Sequence, residues 1–259
     1  MMKNKSELVS ESKITAEIKN PAVVFENVSL SIDGNLILDN ISHRFEFGRK
    51  YLIIGSNGSG KSTLTKLLKN NCHDYSGTIT IGGYDLKSDD GCFLAEKVSY
   101  SNEMVSLFDD TVRNNILMYR EVQEDVLESV VKDTGLSVAL ERKVGDEGAD
   151  LSSGEKRRIE ICRSLIDNPS IMIFDEVIST LDIETAYEIE KLIISLENRT
   201  VIMISNCFTG SILDCFDEII LMDSGKIREY GTHRELLEKS EEYSDLYNIR
   251  CGRSDIEVI

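Results

Sequence analysis

The sequence predicts an α/β fold: a mostly parallel sheet flanked by helices, with an antiparallel β subdomain and an inserted α-helical subdomain. In the second half of the chain, short β-branched runs alternate with helical stretches, which predicts the parallel sheet. Between residues 22 and 47, apolar and polar residues roughly alternate around the turn Asp33-Gly34-Asn35, which predicts an antiparallel strand pair. Residues 87–150 have helical periodicity instead and form the insertion.

The individual elements follow in chain order. An apolar strand at 51–54 leads into a glycine-rich run, and the next helix carries Leu64, Leu67 and Leu68 on one face. A short strand at 77–83 has turn residues at both ends. The later elements are helices over 113–119, 122–132, 156–166 and 184–197, and strands over 171–174, 201–204 and 219–222.

Composition and net charge indicate a soluble globular protein and disfavour two kinds of partner, nucleic acid and the membrane interior. The chain has 259 residues, of which 41% are hydrophobic and 29% charged, as in soluble globular proteins. Its net charge of −17 disfavours nucleic acid as a partner, because phosphates would be repelled. No apolar stretch reaches the about 20 residues of a spanning helix, so direct membrane insertion is not expected. The six cysteines form no CxxC pair and no metal-binding pattern, which predicts reduced thiols in a reducing compartment.

The glycine-rich run is the most specific motif. Residues 55–63 lie between a strand and a helix, the arrangement in which backbone N–H groups surround phosphates. Lys61 is expected to reach the β- and γ-phosphates, and the Ser62 hydroxyl to ligate Mg²⁺. The chain is therefore predicted to bind a nucleoside triphosphate. The residues assigned to this glycine loop are Gly55, Ser56, Asn57, Gly58, Ser59, Gly60, Lys61, Ser62 and Thr63.

Two carboxylates follow the apolar strand at 171–174. Asp175, at the carboxyl end of that strand, is placed to hold Mg²⁺ through water. Glu176 points in another direction and is expected to polarise the water that attacks the γ-phosphate.

Between these motifs lies the sequence Leu-Ser-Ser-Gly-Glu at 151–155, followed by basic residues. Ser152 or Ser153 is expected to cap the following helix. Free N–H groups at such a helix start can bind an anion.

Together these motifs resemble the nucleotide-binding domain of ATP-binding cassette (ABC) transporters, over about residues 22–250. The resemblance assigns 151–155 as the signature motif and 179–182 as the D-loop, in the family's order. Further stretches resemble the exporter branch: 107–116, which faces the membrane domain there, a Gly-Glu loop at 144–148, and a C-terminal segment at 231–246.

The resemblance implies a P-loop NTPase core. It divides the chain into a leader or linker (1–21), a nucleotide-binding core with its β subdomain (22–86 and 155–250), a helical subdomain (87–154) and a C-terminal tail (251–259).

It also implies a function. The chain would bind Mg²⁺ and ATP at the cytoplasmic face of the cell membrane and hydrolyse ATP to drive export. It would pair head to tail with a second nucleotide-binding domain, so that Ser152 and Gly154 of one protomer meet the γ-phosphate on the other, with Asp182 also near the nucleotide. A membrane domain, fused or separate, would be the second partner, and the leader favours an excised domain.

Four positions depart from the family pattern. Ile32 stands where an aromatic residue stacks on adenine, Glu103 where a glutamine contacts Mg²⁺ and water, and Asn206 where a histidine contacts the γ-phosphate. The signature reads Ser-Ser-Gly-Glu, and Lys156 and Arg157 are expected to offset the acid of Glu155. These departures predict slow hydrolysis, whereas the retained Glu176 argues against its complete loss.

Two alternatives stay open. The chain could be a nucleotide-gated module with little or no hydrolysis, one half of an asymmetric pair. It could also be a soluble ABC-type ATPase without a transport role, although the exporter-like stretches count against this.

Overall fold

The computed structural model describes residues 22–69, 74–88, 91, 95–145, 148–206 and 210–250. The predicted leader and tail, two members of the predicted Gly-Glu loop (Asp146 and Glu147) and four of the six cysteines (Cys72, Cys92, Cys207 and Cys251) lie outside these residues.

The described residues form ten strands and seven α-helices. The strands are β1 (Val23–Ile32), β2 (Asn35–Phe45), β3 (Lys50–Gly55), β4 (Tyr75–Ile81), β5 (Tyr84–Asp85), β6 (Val98–Ser101), β7 (Ile171–Asp175), β8 (Thr200–Ile204), β9 (Glu218–Asp223) and β10 (Lys226–Gly231). The helices are α1 (Lys61–Leu67), α2 (Val112–Leu117), α3 (Glu124–Asp133), α4 (Ser153–Ile166), α5 (Ile183–Ser195), α6 (His233–Lys239) and α7 (Glu241–Arg250).

Two sheets organise these elements. The core sheet has the order β10-β9-β3-β8-β7-β6, and only the β9–β10 pair in it is antiparallel. The second sheet, in the order β2-β1-β4-β5, is antiparallel throughout. The predicted α/β class, with a mostly parallel sheet and an antiparallel β subdomain, is confirmed.

The central strands have no exposed residue. Every residue of β7 and β8 is buried, as expected for parallel strands covered on both faces. Alternate residues contact different apolar clusters: Leu52 and Ile54 of β3 pack on one face, whereas Tyr51 and Ile53 pack on the other. The core sheet is therefore the common wall of two cores.

The predicted strand pair is β1 and β2, joined by a two-residue turn. Asp33 and Gly34 have φ values of +51° and +78°, and Ile32 pairs with Asn35. Left-handed backbone at both turn residues matches the twist of antiparallel strands, which is why an Asp-Gly sequence suits this position.

The helix predicted over 113–119 is shorter in the structure. Thr111 caps α2 by accepting a hydrogen bond from the Asn114 N–H. The helix ends at Leu117 because Met118 and Tyr119 adopt left-handed backbone, with φ values of +52° and +58°.

Strand β6 lies inside the range assigned to the helical subdomain. It pairs in parallel with β7, with Val98 opposite Ile171 and Ser101 opposite Phe174. Its four residues, Val-Ser-Tyr-Ser, form no long apolar run, so sequence periodicity did not reveal it. The division of the chain at residues 87 and 154 stays a prediction.

Within the described part of the chain, none of the helices combines the length and the apolar character needed to cross a membrane.

Candidate functional site

The glycine loop follows β3 and leads into α1. Gly55, Gly58 and Gly60 have φ values of +150°, +81° and +97°. A Cβ atom on Gly55 would lie 2.0 Å from the Met222 carbonyl oxygen, and one on Gly60 would lie 2.9 Å from the Leu38 side chain. Side chains at these two positions would therefore prevent the loop from packing against its neighbours.

The loop encloses a buried lysine. The Lys61 ammonium group donates hydrogen bonds to the carbonyl oxygens of Gly55 (3.0 Å) and Ser56 (2.8 Å). The hydroxyl of Ser59 is also buried, and no hydrogen bond to it is formed by the described residues. A buried hydroxyl without a partner is costly, and a phosphate oxygen in the loop would satisfy it. These groups fit a bound phosphate.

Ser62 and Asp175 meet although they are far apart in sequence. The Ser62 hydroxyl donates a hydrogen bond to Oδ1 of Asp175 at 2.8 Å. Asp175 is buried at the end of β7, beside β8 and β6. A hydroxyl and a carboxylate are the hard oxygen ligands that Mg²⁺ prefers, so this donor pair fits that ion.

Sequence reasoning missed Tyr100. Its hydroxyl donates a hydrogen bond to Oδ2 of Asp175, the oxygen that Ser62 does not contact. No motif marks this tyrosine, and the strand that carries it, β6, was itself not predicted from the sequence.

Glu176 and Asn206 form a second contact at the same sheet edge. The Asn206 N–H donates to Oε2 of Glu176 at 3.2 Å, and the Asn206 side-chain amide donates to Oε1. The same amide donates to Oδ1 of Asn57 in the glycine loop at 2.9 Å. Glu176 has a φ of +54°, which turns its side chain away from the direction of the strand. The structure thus brings three predicted site residues together.

Glu103 lies outside this cluster of contacts. Its side chain is exposed, and among the described residues it makes no hydrogen bond to Ser62 or Asp175. Its backbone carbonyl accepts a hydrogen bond from Arg157 at 2.8 Å. The metal and catalytic roles assigned to Glu103 stay predictions.

The signature motif begins helix α4. Of the two serines considered as the cap, the structure selects Ser152, whose hydroxyl accepts a hydrogen bond from the Glu155 N–H (3.2 Å). The Glu155 carboxylate accepts one from the Ser152 N–H (2.7 Å), which completes a capping box. Gly154 is buried, and a Cβ there would lie 2.7 Å from the Thr185 methyl group. Glu155 is therefore suited to its position by the capping box, and Gly154 by the lack of space for a side chain beside Thr185.

The expectation that Arg157 offsets Glu155 is wrong. Arg157 is buried, pairs with Glu160, and donates to the carbonyl of Asn102 at 2.7 Å. Burial lowers the pKa of Arg157, and the nearby Glu160 acts against this effect. The guanidinium attaches α4 to the segment that follows β6.

Ile32 and Asp182 lie at element ends. Ile32 is the last residue of β1 and is 47% exposed. Asp182 caps α5 by accepting a hydrogen bond from the Thr185 N–H at 3.0 Å, which lowers the pKa of its carboxyl. The next residue, Ile183, is 85% exposed. Neither Ile32 nor Asp182 contacts the Ser62–Asp175 pair in the described structure.

A family model for the ABC transporter matches residues 38–179, more than half of the chain. The chain belongs to the ABC transporter family. This finding confirms the resemblance drawn from the glycine loop, the signature and the Asp175-Glu176 pair.

Curated relatives place this ABC domain in the exporter branch. It is 33% identical over 248 residues to an ATP-dependent lipid A-core flippase of Haemophilus influenzae, covering 91% of this chain and 42% of the relative. It is 35% identical over 249 residues to ABC transporter B family member 24, mitochondrial, of Arabidopsis thaliana, covering 92% and 36%. The chain thus spans roughly two fifths of the length of these relatives.

A solved structure agrees with this placement. A bacterial Atm1-family ABC exporter with ATP bound superposes with a TM-score of 0.80 at 28% identity. The match covers 93% of this ABC domain and 43% of the exporter chain.

Proposed function

We propose that this ABC domain binds Mg-ATP and hydrolyses it slowly to drive an exporter. The hydrogen bond between Ser62 and Asp175 carries the proposal, because it joins the glycine loop to a strand-end carboxylate 113 residues away. Lys61 supplies the charge that phosphate oxygens require, and the Ser59 hydroxyl, which has no partner among the described residues, supplies a donor.

Ser62 and Asp175 would hold the Mg²⁺ ion, with Glu103 as a further candidate. When bound, the ion would neutralise the charge of the phosphates. The two partners supply a neutral hydroxyl and one carboxylate, a donor set typical of Mg²⁺ bound together with substrate phosphates.

Glu176 is the general base in this proposal. It would accept a proton from the attacking water, while the Asn206 amide donates a hydrogen bond to a γ-phosphate oxygen. Both N–H groups of the Asn206 side chain already donate, one to Glu176 and one to Asn57, so Asn206 must release one of these partners to reach the phosphate. Asn206 is neutral and adds no positive charge. These two features support slow hydrolysis.

A second nucleotide-binding domain would complete the site. Ser152 and Gly154 at the start of α4, with Asp182 at the start of α5, would face the nucleotide bound by the partner. Ile183, exposed beside Asp182, supplies apolar surface that such a contact would bury.

A membrane domain is the other proposed partner, which places the chain at the cytoplasmic face of the membrane. Exposed apolar side chains lie in and beside the exporter-like stretch 107–116: Met104 (78% exposed), Phe108 (47%) and Tyr119 (71%). Exposed apolar residues concentrated in one segment are typical of protein contacts.

One observation favours the alternative of a nucleotide-gated module with little hydrolysis. Asn206 contacts both carboxylate oxygens of Glu176 and also Asn57 of the glycine loop. If these hydrogen bonds persist with ATP bound, the Asn206 side chain has no N–H group left to donate to the γ-phosphate.

Phosphate release and ATP-dependent dimerisation separate these proposals. Purified protein is assayed with Mg-ATP beside Lys61→Ala and Glu176→Gln variants, and light scattering measures dimers. We expect slow phosphate release by the unmodified protein and none by either variant. We also expect Glu176→Gln to form a stable dimer when ATP is present. Dimerisation of the unmodified protein without release above the Lys61→Ala background would favour the gated module. A protein that neither dimerises with ATP nor releases phosphate would contradict both proposals.

A further inference from the structure

Tyr100 lies on the neighbouring strand to the carboxylate at the centre of the proposed metal site. Strands β6 and β7 are parallel, with Tyr100 opposite Ile173. Side chains two residues apart on a strand share a face, so Tyr100 and Asp175 lie on the same side of the core sheet. The Tyr100 hydroxyl reaches Oδ2 of Asp175 there.

Each oxygen of Asp175 therefore accepts a hydrogen bond from a different element. Ser62, on α1, donates to Oδ1 at 2.8 Å, and Tyr100, on β6, donates to Oδ2. The last torsion of an aspartate is otherwise broad. Two donors on opposite oxygens fix the plane of the carboxylate, and each oxygen keeps a lone pair free for a further partner.

A phenol carries its proton at neutral pH, so Tyr100 can donate to the carboxylate of Asp175. A protonated phenol beside a carboxylate gives a charge-assisted hydrogen bond, which is stronger than one between neutral groups.

We propose that Tyr100 is a positioning residue for the metal site, which fixes Asp175 so that Oδ1 stays beside Ser62 where Mg²⁺ would bind. This inference rests on the proposed function. Tyr100 does not touch the ion or the nucleotide; it acts through Asp175. Removing a residue that hydrogen-bonds to a metal ligand typically weakens metal binding on the order of tenfold or more.

The test compares Tyr100→Phe with wild type in the full chain. The substitution removes one oxygen and keeps the ring, which packs against the apolar cluster on that face of the core sheet. ATP binding is measured by calorimetry in EDTA and at graded Mg²⁺ concentrations. We expect the same affinity for ATP in EDTA, and an Mg²⁺ requirement shifted on the order of tenfold to higher concentration.

Tyr51→Phe is the matched control. Tyr51 is buried on β3, at the opposite end of that strand from the glycine loop, and its hydroxyl accepts a hydrogen bond from the Glu46 N–H at 2.6 Å. This variant should leave the Mg²⁺ requirement unchanged. An equal shift in both variants would mean a general structural effect and would overturn the positioning role.

A double variant tests the route through Asp175. In an Asp175→Asn background, Tyr100→Phe should produce no additional shift in the Mg²⁺ requirement, whereas an independent effect of the same size would contradict the inference. If wild type binds ATP in a clearly Mg²⁺-dependent way and Tyr100→Phe has the same Mg²⁺ requirement, the positioning role is overturned and the proposed function is not. A wild type that binds ATP equally with and without Mg²⁺ would overturn the proposed function as well.

Discussion

The backbone and side chain of Asn206 both donate hydrogen bonds to the carboxylate of Glu176. Asn206 follows β8 and Glu176 follows β7, so the pairing of these two strands brings the residues together. The proposed general base therefore has a neutral amide as its immediate partner, and its reactivity depends on that neighbour.

Replacing this amide with an imidazole should speed hydrolysis. In Asn206→His, a protonated ring could place positive charge beside the γ-phosphate, which the amide cannot do. We expect single-turnover hydrolysis to rise on the order of tenfold or more, within the range of single transition-state donors. The same substitution in a Glu176→Gln background should have no effect. A rate at or below wild type would show that the missing charge does not limit hydrolysis.

Ile32→Tyr should strengthen ATP binding. Ile32 is exposed at the end of β1, and an aromatic ring there could stack on adenine. A stacked pair contributes about 0.5–1.5 kcal/mol, which corresponds to roughly two- to tenfold in Kd. Calorimetry with ATP would measure the change, and Leu237→Tyr, at an exposed position on α6, is the control. Equal affinities of Ile32→Tyr and wild type would exclude contact between this residue and the base.

Removing Arg157 should destabilise the chain strongly. Arg157→Met leaves the largely buried Glu160 without its ionic partner, and breaking a buried pair costs about 3–5 kcal/mol. Urea unfolding would measure this loss. The double variant Arg157→Met, Glu160→Met should recover part of the lost stability, because no uncompensated charge remains.

The control is Arg234→Met, which breaks an exposed pair with Asp214 and should cost less than about 1 kcal/mol. Additive losses from the two buried positions would show that they are not coupled.

His233 should make stability depend on pH. Its Nδ1 lies 2.7 Å from the Tyr243 hydroxyl, and burial lowers the pKa of His233; Asp214 acts against this effect, and Arg234 lowers the pKa further. The unfolded chain takes up this proton near pH 6.5, before the folded chain does. Stability from this group is therefore complete above about pH 6.5 and is lost as the pH falls through the lowered folded value.

Urea unfolding at pH 7.5 and pH 5.5 would measure this dependence. Wild type should lose more stability between these values than His233→Asn, which cannot take up the proton. The comparison cancels the carboxylates, which titrate in both proteins. Identical losses would rule out a contribution from His233.

Local patterns were sufficient where one segment contains the whole signal. The glycine loop, the Asp33-Gly34 turn and the strand before Asp175 were all assigned from neighbouring residues, because backbone conformation and apolar runs are set locally. Strand β6 was missed because four half-polar residues give no periodicity, and their strand identity depends on pairing with β7.

The sequence by itself determined the family and the residues expected at the nucleotide: Lys61, Ser62, Asp175 and Glu176. Only the tertiary structure decided which of them touch, placing Tyr100 on Asp175, Asn206 on Glu176 and Arg157 away from Glu155. The reason is physical: a motif fixes the chemistry of its own side chains, whereas the contacts between motifs depend on strand order and helix packing across more than 100 residues.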